Sequence, residues 1–258
     1  MRVCNFSSGS EGNLTYIETD SAKILVDIGL SCKETVERLK LMHVDPTEIN
    51  AILITHEHAD HIKGLEVFSN KYGTAVYVHK DGLMPLKSKI KRELNYCVYE
   101  NEFKIADLSI VGVAVPHDVE RCTGYVIKQN EKKISIFTDL GHTTPEILQN
   151  LYHSNLVFLE ANHDPDLLMN NTKYPYYLKK RILGPNGHLA NADCASAIKD
   201  LAENGCKRIV LSHISRENNE PEFAMNFIRN ILAEIGLNDG SDVILDYNAT
   251  IPRKIFKI

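Results

Sequence analysis

Short apolar stretches that end abruptly in polar residues recur along the chain. Residues 52–54 form a run rich in isoleucine, which is typical of a buried strand. Residues 134–137, 156–159 and 208–211 show the same pattern. Histidine, aspartate or glutamate follows soon after each run. The pattern therefore predicts a set of strands that deliver polar side chains at their ends.

Other segments have the spacing of amphipathic helices. Ser31 is expected to cap a helix over residues 31–42, because Glu34 stands three residues later as in a capping box. Residues 62–72 also have helical spacing and precede Gly73, a typical helix end. Two further helices are predicted at residues 191–204 and 220–235. Strands and helices alternate, which indicates an α/β fold.

Length and composition fit one domain over residues 1–258, with two similar halves at roughly 1–118 and 119–258. Apolar residues make up 43% of the chain, enough for a sizeable core. The formal charge of −5 provides no general basic field, so a nucleic-acid partner would need a local patch and metal charge. The first residues contain no apolar run long enough to suggest a signal peptide, no later segment is long and apolar enough to suggest a membrane span, and the six cysteines are scattered, so a cytoplasmic location is expected.

The strand at residues 52–54 runs into the most informative cluster in the sequence. His56, His58, Asp60 and His61 follow it within a few residues. Imidazole and carboxylate groups together bind zinc, iron or manganese. His56 and His58 are two apart on extended backbone, so both can project to the same side and share one ion. Asp60 and His61 come after a turn and are better placed for a second ion.

Three more strand ends supply donors of the same kind, namely His117, Asp139 and His213. Each of them alone is more typical of a core or surface residue. A centre with two metal ions, however, needs about as many donors as the four strand ends provide together. We therefore expect these residues to meet at one site.

The run T-H-E-H-A-D-H-I-K-G-L resembles the signature of the metallo-β-lactamase superfamily. This resemblance implies a four-layer αβ/βα sandwich, with two mixed sheets flanked by helices and a metal site between them. It also implies a ligand set of His56, His58 and His117 on one ion, Asp60, His61 and His213 on the other, and Asp139 as the bridge. The segment between Asp139 and His213 is too short for a β-CASP insertion.

Motifs beyond the metal signature are similar to those of the YycJ/WalJ family of Gram-positive bacteria. They include S-S-G-S-x-G-N, L-V-D-I-G-L-S, V-P-H-D, F-T-D-L-G, L-E-A-N-H-D and G-P-x-G-H-L-A-N. The resemblance implies a 5′→3′ exonuclease acting on double-stranded DNA, and a link to the WalRK two-component system. The implied substrate-binding residues are Ser7, Ser8, Asn13, Glu160, His163 and His188.

Two divalent ions, zinc or manganese with iron as a further option, would lower the pKa of a shared water enough to make hydroxide at neutral pH. This hydroxide would attack phosphorus in line. Asp60 and His188 are the candidate catalytic residues. His188 lies in a glycine-proline loop just before a helix, where it can contact a phosphate oxygen or protonate a leaving oxygen.

Several alternatives remain open on the sequence alone. The Gly/Ser/Asn loop around Ser7 can cradle an anion or be an ordinary turn. Basic and aromatic residues alternate at 173–181, which suits either a DNA-tracking surface or an amphipathic helix. The same fold also supports small-molecule thioester or lactone hydrolases, and a non-catalytic accessory of the two-component system is a third option. The sequence does not fix the oligomeric state.

Overall fold

The computed structural model describes residues 1–247 and 254–258. Two seven-stranded sheets form the centre of this part of the chain. In spatial order, the first sheet contains β14 (Phe256–Lys257), β1 (Arg2–Ser7), β2 (Leu14–Glu18), β3 (Lys23–Val26), β4 (Ala51–Leu53), β5 (Ala75–His79) and β6 (Tyr96–Tyr99). The second contains β13 (Ile244–Tyr247), β12 (Arg208–Ser212), β11 (Leu156–Glu160), β10 (Lys132–Phe137), β9 (Cys122–Gln129), β8 (Leu108–Val115) and β7 (Glu102–Ile105).

Helices cover the outer faces of both sheets. Those of the first half are α1 (Cys32–Leu41), α2 (Ala59–Ile62), α3 (Leu65–Tyr72) and α4 (Lys80–Lys89). Those of the second half are α5 (Pro145–Leu151), α6 (Pro165–Asn170), α7 (Tyr176–Ile182), α8 (Asn191–Glu203) and α9 (Pro221–Glu234). Among the described residues, no helix has both the length and the apolar character needed to cross a bilayer.

Both sheets are mixed in the same way. In the first sheet β1, β2 and β3 pair antiparallel, while β3 to β6 run parallel. In the second sheet β7 to β10 pair antiparallel, while β10 to β13 run parallel. Parallel strands need crossover connections, and helices supply most of them.

Three apolar clusters hold the layers together. One lies between the sheets and joins residues such as Ile24 and Leu53 of the first sheet to Tyr125 and Phe158 of the second. The other two pack α1 and α3 on the first sheet and α5, α8 and α9 on the second. This helix–sheet–sheet–helix order confirms the α/β four-layer sandwich expected from the resemblance.

Most elements expected from the sequence are present. Ser31 caps α1 through a capping box with Glu34, and Gly73 ends α3 with a left-handed φ of 71°. The segment from 62 to 72 is interrupted at Lys63–Gly64, and α2 precedes it. The sequence patterns do not predict α4, β6 or β14.

The two sheets divide the chain between Tyr99 and Glu102. The halves predicted from the sequence divide it near residue 118 instead. The difference arises because β7 and β8 precede that point but pair with β9 in the second sheet. The strand β14 returns to pair with β1, so the end of the chain belongs to the first sheet.

The polar residues expected at strand ends follow β4, β8, β10 and β12, and Glu160 is the last residue of β11. Asp27 and His213 come directly after a strand, Asp139 comes two residues after β10, and the three have left-handed φ values of 60°, 52° and 56° respectively. Such conformations are strained for residues with a Cβ and persist where the surroundings fix them. The chain therefore turns sharply at three of the positions that supply the site.

Gly29 fixes the distance between the turn after β3 and the start of α2. A Cβ added at Gly29 would lie 1.7 Å from the carbonyl oxygen of Asp60 and 2.4 Å from the backbone nitrogen of Asn13. The backbone nitrogen of Asn13 also donates a hydrogen bond to that carbonyl of Asp60 at 2.8 Å. The close contact thus holds Asp60 against the loop that follows β1.

We expect Gly29→Ala to lower the free energy of unfolding by about 3 kcal/mol, because backbone rather than a flexible side chain must move. Urea unfolding followed by circular dichroism measures the change. Gly73→Ala is the matched control: its Cβ would meet nothing within 4 Å, so only the cost of the left-handed φ remains, about 1 kcal/mol. An equal loss in both variants would contradict this account.

Candidate active site

Three histidines form the first group of donors. His56 and His58 follow β4, and His117 follows β8. His56 Nε2 lies 3.0 Å from His58 Nδ1, and His117 Nε2 lies 3.4 Å from the same nitrogen. The three nitrogens therefore point at a common space from two different sheets.

A second group lies beside the first and contains Asp60, His61 and His213. His61 Nε2 is 3.5 Å from Asp60 Oδ2, and His213 Nε2 is 3.9 Å from the same oxygen. Asp139 stands between the groups: its Oδ2 is 3.2 Å from His61 Nε2 and its Oδ1 is 3.9 Å from His117 Nε2. The structure thus brings together all seven residues predicted as metal ligands. Their role as ligands stays a prediction.

Donor atoms in four sets lie within 4.8 Å of one another. The sets are His56, His58 and His117; His56, His61 and Asp139; Asp60, His61 and His213; and Asp139, His188 and His213. Shared members link all four sets, so the donors form one continuous cluster rather than separate sites.

Asp27 orients His61 from behind. Its Oδ2 lies 2.7 Å from His61 Nδ1, and its Oδ1 accepts a hydrogen bond from the backbone nitrogen of Thr55 at 2.9 Å. The Thr55 hydroxyl also donates to Asp27. The carboxylate accepts the Nδ1 proton of His61, and this directs Nε2 towards Asp60 and Asp139. Carboxylate–histidine pairs of this kind are typical behind metal ligands.

Glu160 orients two further histidines in the same way. Its Oε1 lies 2.8 Å from the Nδ1 atoms of both His213 and His188, and its Oε2 accepts a hydrogen bond from the backbone nitrogen of Leu140. Glu160 is fully buried at the end of β11. It therefore lies behind the histidines, where it holds their rings rather than facing the cavity.

Two observations indicate that the cluster is suited to bind cations. Asp27, Asp139 and Glu160 are buried, and among the described residues they form ion pairs with histidines and with no lysine or arginine. Two buried atoms inside the cluster, Asp139 Oδ2 and His213 Nε2, make no hydrogen bond within the described part of the chain. Buried carboxylates normally pair with a cation or bind a metal, and unpaired buried donors are costly.

The pKa shifts within the cluster also indicate that it is suited to bind cations. Burial is the largest single effect and lowers the pKa of His213 and His61, but the neighbouring carboxylates, Asp139 foremost, together raise it more, so each pKa lies well above its usual value. Burial works against ionisation of Asp139, but His213 and His61 hold its pKa well below the usual range. Burial, followed by the charge of His61, holds the pKa of His56 well below its usual value, which favours the neutral imidazole that a metal ion requires.

The loop after β1 supports the cluster from the side. Asn13 is buried, and its side-chain amide lies 2.9 Å from His61 Nε2 and 3.3 Å from Asp60 Oδ2. The Ser8 hydroxyl accepts a hydrogen bond from the backbone nitrogen of His213 at 2.7 Å. These contacts position groups of the cluster itself.

A cavity of about 230 Å³ opens onto the cluster, and we call it the active-site cavity. It is lined by Ser10, His58, Asp60, His117, Asp118, Asp139, Asn162, Tyr174, Leu178, Arg181, Ile182, Gly187, His188, His213, Ser215 and Asn218. Of the residues predicted to bind substrate, only His188 lines this cavity. Ser7 lines a neighbouring cleft that shares Ser10 and Asp60 with it.

His163 is a separate case among the predicted substrate-binding residues. It is buried, forms a bridge with Ala190, and does not line the active-site cavity. Burial lowers its pKa to about 4. Neither of its ring nitrogens makes a hydrogen bond within the described part of the chain. Its environment suits a neutral core histidine better than a group that contacts substrate.

The sequence patterns do not predict a role for Asp27, Thr55 or the two asparagines that lie behind His213. Asn219 donates to the carbonyl oxygen of Asn162 at 3.1 Å, and Asn162 donates to the carbonyl oxygen of His213 at 2.8 Å. Asp27 carries a signal that could have identified it, since it is an acid directly after a buried strand, much as Asp139 follows β10 closely. Nothing in the local pattern marks Asn219, because its partners are distant in sequence.

The comparisons with known proteins agree with this geometry. The pattern of the Beta-lactamase superfamily domain matches residues 22–214, a range that contains every predicted metal ligand. The crystal structure of Zn(2+)-bound PqqB from Methylobacterium extorquens is similar over the whole of both chains, with a TM-score of 0.75 and 13% identity. At that identity the likeness concerns the fold.

Two relatives match nearly the full chain. Exodeoxyribonuclease YycJ of Bacillus anthracis is 34% identical over 254 residues, which cover 96% of each chain. Exodeoxyribonuclease WalJ of Streptococcus pneumoniae strain D39 is 34% identical over 242 residues, which cover 92% of this chain and 90% of WalJ.

Asp27→Asn tests the support behind the cluster. We expect it to weaken binding of Zn²⁺ or Mn²⁺ by about 10- to 100-fold, because an amide no longer fixes the tautomer and orientation of His61. Titration calorimetry measures the affinity, and circular dichroism checks the fold. Asp107→Asn is the control, since Asp107 accepts hydrogen bonds from Thr19 and Gln129 away from the cluster. Unchanged affinity in a folded Asp27→Asn protein would contradict the assignment.

Proposed function

Because this chain belongs to the metallo-β-lactamase superfamily, and within it to the family of the exodeoxyribonucleases YycJ and WalJ, we propose that it is a metal-dependent 5′→3′ exonuclease acting on double-stranded DNA. Its membership makes it a hydrolase of this fold. The direction of digestion, the duplex substrate and the use of two metal ions are parts of the proposal.

One observation carries the proposal: a continuous cluster of six histidines and two aspartates, in which one aspartate, Asp139, lies between the two predicted groups of ligands. A carboxylate shared between two donor groups is suited to hold two ions side by side, as Asp139 is here. Two-metal sites are typical of enzymes that cleave phosphate esters. The cluster contains no cysteine donor, and its oxygen-rich second group also suits manganese.

His56, His58 and His117 would hold one ion, Asp60, His61 and His213 the other, and Asp139 both. When bound, such ions activate water and neutralise charge on the phosphate. Zinc or manganese suits this donor set best, and iron is also compatible. The protein's contribution is to fix the donor atoms before substrate arrives, through Asp27, Glu160 and the loop after β1.

His188 is the candidate for proton transfer to the leaving oxygen. It lines the active-site cavity, and its Nδ1 donates to Glu160. This leaves Nε2 as the ring nitrogen available to a substrate. His188 also falls in a donor set with Asp139 and His213, but its Nδ1 is committed to Glu160. An imidazole held by a carboxylate in this way can hold and release a proton at a fixed place.

An enzyme that acts on DNA would be expected to act in the cytoplasm. The name of the relative WalJ also supports a link to the WalRK two-component system, as a functional relation rather than a contact.

The direct test is digestion of a duplex labelled at either the 5′ or the 3′ end, after loading with Mn²⁺ or Zn²⁺. We expect release of nucleotides from the 5′ end, and at least a 1,000-fold loss of rate, about 4 kcal/mol, with chelator or in Asp139→Ala. Glu93→Ala serves as the control, because Glu93 is an exposed acid paired with Lys87 far from the cluster. Hydrolysis of thioesters or lactones without nucleotide release would contradict the proposal.

His188→Gln separates proton transfer from metal binding. We expect a 100-fold or larger loss of kcat, with two metal ions retained per chain, because glutamine keeps a polar group in the cavity but cannot donate an acidic proton. Metal analysis of the variant gives the number of ions, and a pH profile of kcat shows whether a proton donor is lost. Loss of one ion instead would identify His188 as a ligand.

A further inference from the structure

A single permanent cation lines the active-site cavity. Arg181, in α7, is the only lysine or arginine among the described residues that do so. Tyr174 and Leu178, from the same segment, lie along the same wall. About 57% of the Arg181 side chain is exposed, so an incoming molecule can reach it.

The other basic residues of α7 are directed elsewhere. Lys179 is buried and donates to the carbonyl oxygen of Met169. The Lys180 ammonium lies over the ring of Tyr176, 5.0 Å from its centre. The run of basic and aromatic residues at 173–181 therefore does not act as one uniform surface. Its contribution to the cavity is confined to a few side chains, and Arg181 is the charged one.

Asp118 holds Arg181 next to the metal-ligand cluster. The Nε atom of Arg181 donates to Oδ2 of Asp118. The other oxygen, Oδ1, lies 3.2 Å from His117 Nε2 and 3.9 Å from His58 Nε2. One carboxylate thus links the guanidinium to two candidate ligands. Since an arginine has five N–H donors and this bond uses the one on Nε, the terminal nitrogens keep donors for another acceptor.

A contribution to stability alone does not explain the ion pair between Arg181 and Asp118 well. Ion pairs between partly exposed side chains contribute little to stability, since solvent screens them. Forked arginine donors, by contrast, match the oxygens of a phosphate group. A nucleic-acid substrate always brings a further phosphate close to the one that reacts.

We propose that Arg181 binds a phosphate of the substrate other than the phosphate that reacts, and thereby selects polynucleotides over small phosphodiesters. This inference rests on the proposed exonuclease function. The second phosphate has two sources in a DNA strand: the terminal 5′-phosphate, or the next phosphodiester along the chain. Both offer the same oxygens to the guanidinium.

The test compares kcat/KM for two kinds of substrate in the full-length, metal-loaded protein. One is a duplex oligonucleotide, prepared with either a 5′-phosphate or a 5′-hydroxyl. The other is the p-nitrophenyl ester of thymidine 5′-monophosphate, which contains only the reacting phosphate. We expect Arg181→Ala to lower kcat/KM for the duplex about 10- to 100-fold more than for the ester, mainly through KM. Arg181→Lys keeps the charge but loses the fork, so an intermediate loss is expected.

Lys180→Ala is the matched control, because it removes the same charge from the same helix outside the cavity. Its ratio of duplex to ester activity should change much less than that of Arg181→Ala. A selective loss confined to the 5′-phosphorylated duplex identifies the terminal phosphate, and an equal loss on both duplexes identifies the next phosphodiester.

An unchanged ratio in a folded, active Arg181→Ala protein would overturn the inference and leave the exonuclease proposal intact. So would an equal loss of ratio in Lys180→Ala, which would indicate a general charge effect. Failure of the wild-type protein to release nucleotides from either duplex, while it still cleaves the ester, would instead overturn the exonuclease proposal and this inference with it.

Discussion

Buried negative charge without a lysine or arginine partner is the constraint on which the site depends. Asp27, Asp139 and Glu160 are buried, and within the described residues their only ion-pair partners are histidines. Imidazoles can neutralise such charge only by keeping protons that their burial disfavours. Divalent cations resolve this conflict, because neutral imidazole and ionised carboxylate are the forms that bind metal. The arrangement is therefore favourable when cations are bound, and without them the burial of these charges is energetically costly.

The fold meets this constraint by bringing the donor residues together at the ends of strands. Strands from both sheets end near one edge, so donors separated widely in sequence meet there. Strained turns at Asp27, Asp139 and His213 aim their side chains into the cluster, and the packing around them keeps those turns in place. Contacts behind the donors, such as Asp27 to His61, fix which ring nitrogen faces the centre. The stability of the layers is in this way used to hold a chemically unfavourable group of charges together.

Local patterns predicted the donors well, since each follows a buried apolar strand. They also predicted the cap at Ser31 and the end of α3 at Gly73, because those signals lie within a few residues. The patterns did not predict what lies behind or in front of the donors. Glu160 was expected to face substrate, yet it is fully buried and holds His188 and His213. The direction of a side chain at a strand end depends on the partner sheet, which no local pattern describes.

The central claim is that the cluster holds two ions bridged by Asp139. Anomalous diffraction from crystals grown with Mn²⁺ or Zn²⁺ measures this directly. The account predicts two peaks about 3.5–4 Å apart, one beside His56, His58 and His117 and the other beside Asp60, His61 and His213. A single peak, or peaks that do not contact Asp139, in crystals saturated with either metal would contradict it.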